Sequence, residues 1–276
     1  GIQINYDYTS EKDFAKKFKV GNYLAPLTIA LFANSPLANK KFSGYLSYRN
    51  KVWQNTSRGG IMPISFEELN FEKYLDYVVN YPMLFVIKDK EYIKPNGQTF
   101  KDFMDGNFLP IKGIKATIKD FENHLATIFT EVRMKQIIEF RSLDTCDWGC
   151  ICNGPAFFTG LIYGSLDEVF DIIKDWKKEE VMEAYLKSPK YGLNTEMAGK
   201  KLHEWGKIFL SLAKNGLIKR KEINANNEDE SIYLKHLENI VNKKKNRAQL
   251  ILDKFNKEGN LDFFNYGNKD FSYSGL

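Results

Sequence analysis

Val132-Arg-Met-Lys-Gln-Ile-Ile-Glu-Phe-Arg141 alternates apolar and charged side chains with a period of two. Val132, Met134, Ile138 and Phe140 fall on one face of a strand; Arg133, Lys135, Glu139 and Arg141 fall on the other. A strand of this kind stands between an apolar core and either water or a polar cleft. Ile2-Gln-Ile-Asn-Tyr-Asp-Tyr8 repeats the alternation with amides and one carboxylate on its polar face, so a second half-buried strand is expected there.

Outward from these strands the pattern changes. Asn22 to Ala33 is almost wholly apolar or small and stops at Asn34-Ser-Pro36, which predicts one buried helix ended by a proline turn. Asn34 to Gly60 reads as a loop-rich segment that carries Arg49, Trp53 and Arg58, too aromatic for a linker. Ser65-Phe-Glu-Glu68 fits a capping box and predicts a helix from Phe66 to about Asn80. Met83 to Ile87 and Glu91 to Lys94 read as a hairpin, and Thr117-Ile-Lys-Asp120 starts a short helix through Ala126. From Pro155 the spacing is helical, with segments at 166–176, 179–186, 195–214, 231–241 and 247–255, and with Gly192 and Gly216 as helix stops. Sheet-forming segments first and helices last make the chain α+β.

The 276 residues allow two domains or one large one. Apolar residues make up 43% and charged residues 27%, a globular profile. No run of apolar residues is long enough for a membrane span, and no signal peptide is visible, so no membrane partner is expected. The opening residue is Gly1 rather than Met, which suggests a processed or cut-down piece of a longer protein. The net charge of +5 is spread along the chain, and the basic run Asn242-Lys-Lys-Lys-Asn-Arg247 lacks interleaved aromatic platforms, so nucleic acid is not an expected partner. Cys146, Cys150 and Cys152 have neither a disulfide framework's even count nor the paired spacing of a zinc site. Reduced thiols in a cytoplasmic setting are therefore expected.

Walker, dinucleotide, zincin and nucleophile-elbow motifs are absent, and His124, His203 and His236 are too scattered for a histidine-built metal site. Glu139 and Arg141 are the informative pair. A carboxylate and a guanidinium two apart on one strand face can hold a hard cation and a phosphate side by side, or simply form ion pairs on a solvated sheet. Arg49 and Arg58 near Trp53 add a second cationic cluster suited to an anionic small substrate, although each alone could be a surface arginine packed on a ring.

Several stretches together resemble the glutamate-cysteine ligases of the plant and proteobacterial type. They are Ile2-Gln-Ile-Asn-Tyr-Asp-Tyr8, Ala30-Leu-Phe-Ala-Asn-Ser-Pro36, Gly44-Tyr-Leu-Ser-Tyr-Arg49 with Trp53, and Ser57-Arg-Gly-Gly-Ile-Met-Pro63. The match continues through Phe121-Glu-Asn-His-Leu-Ala-Thr-Ile-Phe-Thr-Glu-Val-Arg133, Ile138-Glu-Phe-Arg141 and Pro155-Ala-Phe-Phe-Thr-Gly-Leu-Ile-Tyr163, and is looser beyond Trp176. The resemblance implies a glutamine synthetase-like curved antiparallel sheet, present in part over residues 1–150, with a helical C-terminal region over 151–276 packed on it. It implies ATP-dependent, Mg²⁺-requiring ligation of L-glutamate to L-cysteine through a γ-glutamyl phosphate, the first step of glutathione biosynthesis. Residue by residue, it makes Glu139 a catalytic Mg²⁺ ligand, with Gln3 a weaker one, and places Arg141 against the transferred phosphoryl group. Asn5 and Arg133 face the nucleotide; Arg49, Trp53 and Arg58 bind amino-acid substrate; Tyr77 walls the cysteine pocket.

Departures qualify these expectations. No cysteine stands near Lys94-Pro95 or Leu109-Pro-Ile111, where plant members carry a regulatory pair, so that switch is not expected. Gly149 and Cys150 replace family arginines, and Thr130 replaces a proline. The family's acidic N-terminal strands have no counterpart here, which predicts an incomplete metal site that the N-terminal portion of the same enzyme would complete. A related ligase with another amine acceptor and a non-catalytic remnant remain alternative readings.

Overall fold

The computed structural model describes residues 1–111 and 113–260, with the side chains at 148 and 149 left aside; Lys112 and the last part of the 151–276 region, residues 261–276, lie outside the described residues. The decisive stretch forms two strands rather than one. Lys135 N donates to Ile137 O at 2.8 Å and turns the chain, so that Val132–Met134 and Ile138–Leu143 pair antiparallel. With Ile2–Tyr6 as β1, Val132–Met134 as β2 and Ile138–Leu143 as β3, the sheet order is β1-β3-β2. Folding back preserves the two-residue alternation, because residues directly opposite in an antiparallel pair share a face. Val132 lies across from Phe140 and Arg133 across from Glu139, while Ile4 lies across from Phe140 and Asn5 across from Glu139.

The β1–β3 register shifts between Ile4↔Phe140 and Ile2↔Leu143, so Arg141 and Ser142 together oppose Gln3. This β-bulge reverses the side-chain alternation and returns Leu143 to the apolar face. Helices Glu11–Tyr23 (α1) and Ala25–Leu31 (α2) cover that face. A methyl group on Gly21 of α1 would fall 2.1 Å from the Phe140 ring and 2.7 Å from Val132, so the helix backbone lies directly on the sheet. In α2 the Thr28 hydroxyl meets the Ser142 hydroxyl at 2.7 Å. The single buried helix expected over 22–33 is thus two, joined at Leu24, and the first begins at the Ser10 cap. At the outer margin of β2, the Tyr74 hydroxyl donates to Met134 O and accepts from Met134 N, both at 2.9 Å.

Three further expectations are corrected. The segment between Asn34 and Gly60 contains a helix, Tyr48–Gln54 (α3), whose cap Ser47 accepts from Asn50 N. Ser65 is not a helix cap: its hydroxyl donates to Met62 O within a 3-10 turn, and Phe71–Val79 (α4) starts from Asn70 instead. The 195–214 segment opens with a tight hairpin, Glu196–Met197 against Lys200–Lys201, before its helix. The hairpin over Val86–Lys88 and Glu91–Ile93 and the Thr117-capped helix Ile118–Ala126 form as expected.

Helices Lys178–Tyr191 (α5) and Leu202–Arg220 (α6) share with the sheet one apolar core that extends from Ile2 to Val241. A smaller core forms around Phe100, Phe103 and Phe108. Gly192 ends α5 with φ +55°, but Gly216 lies inside α6 rather than at its end. A methyl on Gly216 would fall 2.0 Å from the Gly160 carbonyl oxygen and 3.1 Å from the Gly164 Cα, so glycine serves backbone contact here. Cys146 and Cys150 form a disulfide, which corrects the expectation of reduced thiols; Cys152 is free and half-buried. No helix among the described residues is long and apolar enough to cross a membrane.

Alanine favours helix over glycine by about 1 kcal/mol, yet Gly216→Ala must push two backbones apart at a cost of about 3 kcal/mol. A net loss of about 2 kcal/mol, seen as a melting temperature lower by several degrees, is the expected result of thermal denaturation. His236 gives a pH test. Burial, aided by the Arg247 charge and opposed by Asp147, lowers its pKa to about 4. The unfolded chain therefore binds this proton from about pH 6.5 downward while the folded chain resists it, and stability falls as pH drops from there to about 4. Urea titrations at pH 7 and 4.5 should show about 2 kcal/mol more acid loss in the parent than in His236→Gln.

Candidate active site

The polar face of the sheet starts from one row across three strands: Asn5, Glu139 and Arg133. Arg133 Nε donates to Glu139 Oε2, and its Nη1 donates to the carbonyls of Ala126 and Ile128 at 2.7 and 2.9 Å. That guanidinium ties the end of helix Ile118–Ala126 to the sheet and leaves Nη2 for any ligand. Lys135 Nζ stands 3.7 Å from Glu139 Oε1. Burial acts to raise the Glu139 pKa, but the Arg133 hydrogen bond and the charges of Arg133, Lys135 and Arg141 hold the carboxyl below its ordinary range. Gln3 and Asn5 are exposed on the same face, Gln3 opposite the bulge.

Arg141 sits on the bulge. Its side chain is only 6% exposed, yet Nε has no hydrogen-bond partner among the described residues. Burial, reinforced by Arg133 and opposed by Glu139 and Glu131, lowers its pKa to about 10, so the guanidinium keeps its proton at neutral pH. The Phe129 ring lies 5.9 Å from Arg141 Cζ, and Trp53 packs against Phe129 at 5.3 Å. One turn before Trp53, Arg49 Nη2 donates to the Arg141 carbonyl at 2.9 Å, and Nη1 is 3.8 Å from Asp144 Oδ1. Arg49, Trp53, Glu139 and Arg141 are therefore brought together from segments almost a hundred residues apart in sequence, as the spacing alone could not show.

Two expected members are placed differently. Arg58 Nε donates to Thr127 O, Nη2 to Thr127 Oγ1 and Nη1 to Pro82 O, at 2.7 to 2.9 Å, and the guanidinium lies 5.1 Å from the Tyr81 ring. Three of its five N–H donors thus go to the protein, and Arg58 clamps two loops. Tyr77 packs against Tyr81 with tilted rings 5.6 Å apart beside this clamp, its phenol pushed up to about 12 by burial and by Tyr81. His124 also belongs to the frame: it is buried, hydrogen-bonds Val78 O through Nε2 at 2.8 Å and stacks on Phe100.

Two buried acids had no assigned part. Glu131 accepts from the Tyr185 hydroxyl at 2.6 Å, and burial raises its pKa despite that bond and the charges of Arg49 and Arg141. Asp144 collects Asn34 N, the Ser35 and Ser47 hydroxyls and Asn50 Nδ2 at 2.7 to 3.3 Å. The density of Ser and Asn around Arg49 was the only local sign of an acid to be satisfied there. Among the described residues no group of three His, Cys, Asp or Glu side chains could hold a metal ion. Glu139 and Gln3 do not make a Mg²⁺ site by themselves, since the carboxylate is already paired with Arg133.

What the face offers is a cluster of arginines with one unsatisfied buried guanidinium donor, beside a carboxylate, a donor set suited to an oxyanion. Residues 1–265 match the family model described as glutamate-cysteine ligase family 2. The chain is 42% identical over 224 residues to the chloroplastic glutamate-cysteine ligase of Solanum lycopersicum, covering 79% of this chain and 43% of that one. It is 36% identical over 262 residues to the chloroplastic glutamate-cysteine ligase of Arabidopsis thaliana, covering 93% of this chain and 49% of that one. The chain thus spans less than half the length of these relatives. The cytoplasmic setting expected from the cysteines is overturned, because these relatives are named chloroplastic and two of the cysteines are bonded to each other. By family model and by identity across most of its length, this chain belongs to the glutamate-cysteine ligase family 2.

Proposed function

We propose that this chain carries the arginine-lined part of a glutamate-cysteine ligase active site, which joins L-glutamate through its γ-carboxylate to L-cysteine at the expense of ATP, the first step of glutathione biosynthesis. The observation that carries this reading is Arg141: a buried guanidinium with a donor left over is costly unless an anion completes it. In a family named for joining glutamate to cysteine, the anion in this reading is a phosphoryl group passing from ATP to a carboxylate. Phosphoryl transfer asks a protein mainly for positioning and charge stabilisation, and a fixed guanidinium provides both.

In this proposal Arg141 faces the transferred phosphoryl oxygens, and Arg49 receives a carboxylate of glutamate. Phe129, backed by Trp53, holds Arg141 from one side. Tyr77, protonated throughout the neutral range, offers an uncharged wall for the acceptor amino acid. Arg133 keeps Glu139 ionised and oriented, and Asn5 lies beside it toward the nucleotide. Glu139 and Gln3 would contribute oxygens to a Mg²⁺ ion whose other ligands come from phosphate and from the part of the enzyme this chain does not span. When bound, such an ion neutralises phosphate charge. The three-stranded sheet would then be one part of a larger, curved, glutamine synthetase-like sheet, with its polar face toward the nucleotide.

Arg141→Met tests the reading from two directions. In the full-length protein, cysteine- and ATP-dependent consumption of glutamate should fall by a factor of about 100 to 1,000, the usual effect of removing one preorganised donor. The ligand-free chain should melt at the same temperature or higher, because an incompletely paired buried charge is gone. Retained activity would sink the assignment. A panel of amines with ATP and glutamate, assayed on the parent with and without the upstream segment, fixes the acceptor and shows which part of the site this chain supplies.

A further inference from the structure

Pro189 lies inside α5, four residues after Tyr185. Proline has no N–H, so the Tyr185 carbonyl loses its intrahelical donor. Gln54 Nε2, at the end of α3, donates to that carbonyl at 2.6 Å, and the Ser188 hydroxyl adds a longer contact at 3.3 Å. A carbonyl only accepts, so the amide nitrogen must face it. Gln54 Oε1 is buried with no partner among the described residues, which leaves the nitrogen's bond as the contact that fixes this side chain.

The opposite end of α3 is tied to the same helical turn. Pro189 O accepts from Leu46 N at 2.7 Å and from Ser47 N at 3.0 Å, and Ser47 is the cap from which α3 begins. Between the two ties lie Arg49 and Trp53. The Tyr185 hydroxyl, on the residue that receives Gln54, reaches Glu131 on the sheet side of the site.

From these contacts we infer that α5 sets the position of α3, with Gln54 as a positioning residue and Pro189 as the feature that makes the Tyr185 carbonyl available to it. A helix-breaking residue here serves the site, because it opens one backbone acceptor toward the segment that bears Arg49. The consequence for catalysis rests on the proposed ligase reading; the mechanical link between the two helices does not.

Hydrogen-deuterium exchange on this chain tests that link. Gln54→Leu removes the donor, and Pro189→Ala supplies an N–H that competes with Gln54 for the Tyr185 carbonyl and draws it into α5. Each should speed amide exchange across residues 46–54 by about tenfold, the worth of one ordinary hydrogen bond. The double variant should exchange no faster than either single one, since both abolish the same contact. Gln54→Lys keeps a donor of similar reach and should restore slow exchange. Pro189→Ala should not lower the melting temperature, which separates loosening of α3 from general unfolding. In the full-length enzyme both single variants should raise the KM for glutamate about tenfold with kcat within about twofold, as for a residue that positions a binding arginine. Unchanged exchange in either single variant, or additive effects in the double, overturns the inference. If the full-length parent makes no γ-glutamylcysteine, the ligase reading fails and the exchange result still decides the link.

Discussion

The candidate site depends on how one buried carboxylate is satisfied. Asp144 is 2% exposed and follows β3 directly. An ionised carboxylate in such a place requires several donors, and Asp144 takes them from a backbone amide, two hydroxyls and a side-chain amide. Those donors come from Asn34, Ser35, Ser47 and Asn50, so a single ion fastens the end of α2's exit turn and the start of α3 to the sheet. Ser35 is engaged twice, since its oxygen also accepts from Arg49 N at 3.1 Å. This desolvated charge holds the start of α3 on the sheet, alongside the ties from α5, and with it the approach of Arg49 to Arg141.

Charge across the polar face is balanced but unevenly distributed. Arg133 and Glu139 pair with one another, and Arg133 also donates from Nη1 to backbone carbonyls. Glu131 is held by a phenol. Among the described residues of the face, Arg141 alone of the arginines keeps a buried N–H, that of Nε, without a partner, although acids surround it at longer range. Placing it on a bulge explains how this arises: the extra residue lifts Arg141 out of the ladder's regular spacing, and so away from a cross-strand partner.

Local patterns made the sheet legible. Alternation of apolar and charged residues survives whether Val132 to Arg141 runs straight or folds back, which is why the two faces could be assigned although the hairpin could not. Lys135-Gln-Ile137 contains no glycine or asparagine to mark a turn. Capping boxes were legible at Thr117, where Asp120 completes the exchange, but Ser65 imitated one before a 3-10 turn. Gly216 read as a stop because sequence carries no sign that another backbone lies against it. Arg58 and Asp144 show the same limit at the site. Their partners depend on how loops distant in sequence are brought together, so the loop clamp made by a conspicuous arginine and the central place of an unremarked aspartate were both illegible.

β1 forms one margin of the sheet, while the Tyr74 hydroxyl occupies the backbone groups of Met134 at the other. Hydrogen bonding can therefore propagate from this sheet in one direction only. Any strand added beside β1 inherits its alternation: residues next to Gln3 and Asn5 join the face of Glu139 and Arg141, and residues next to Ile4 and Tyr6 face the helices. A displacement of the added strand by one residue would exchange the two sets completely. The chemistry available to Arg141 from a neighbouring strand is thus selected by strand alignment at β1, before any individual side chain is considered.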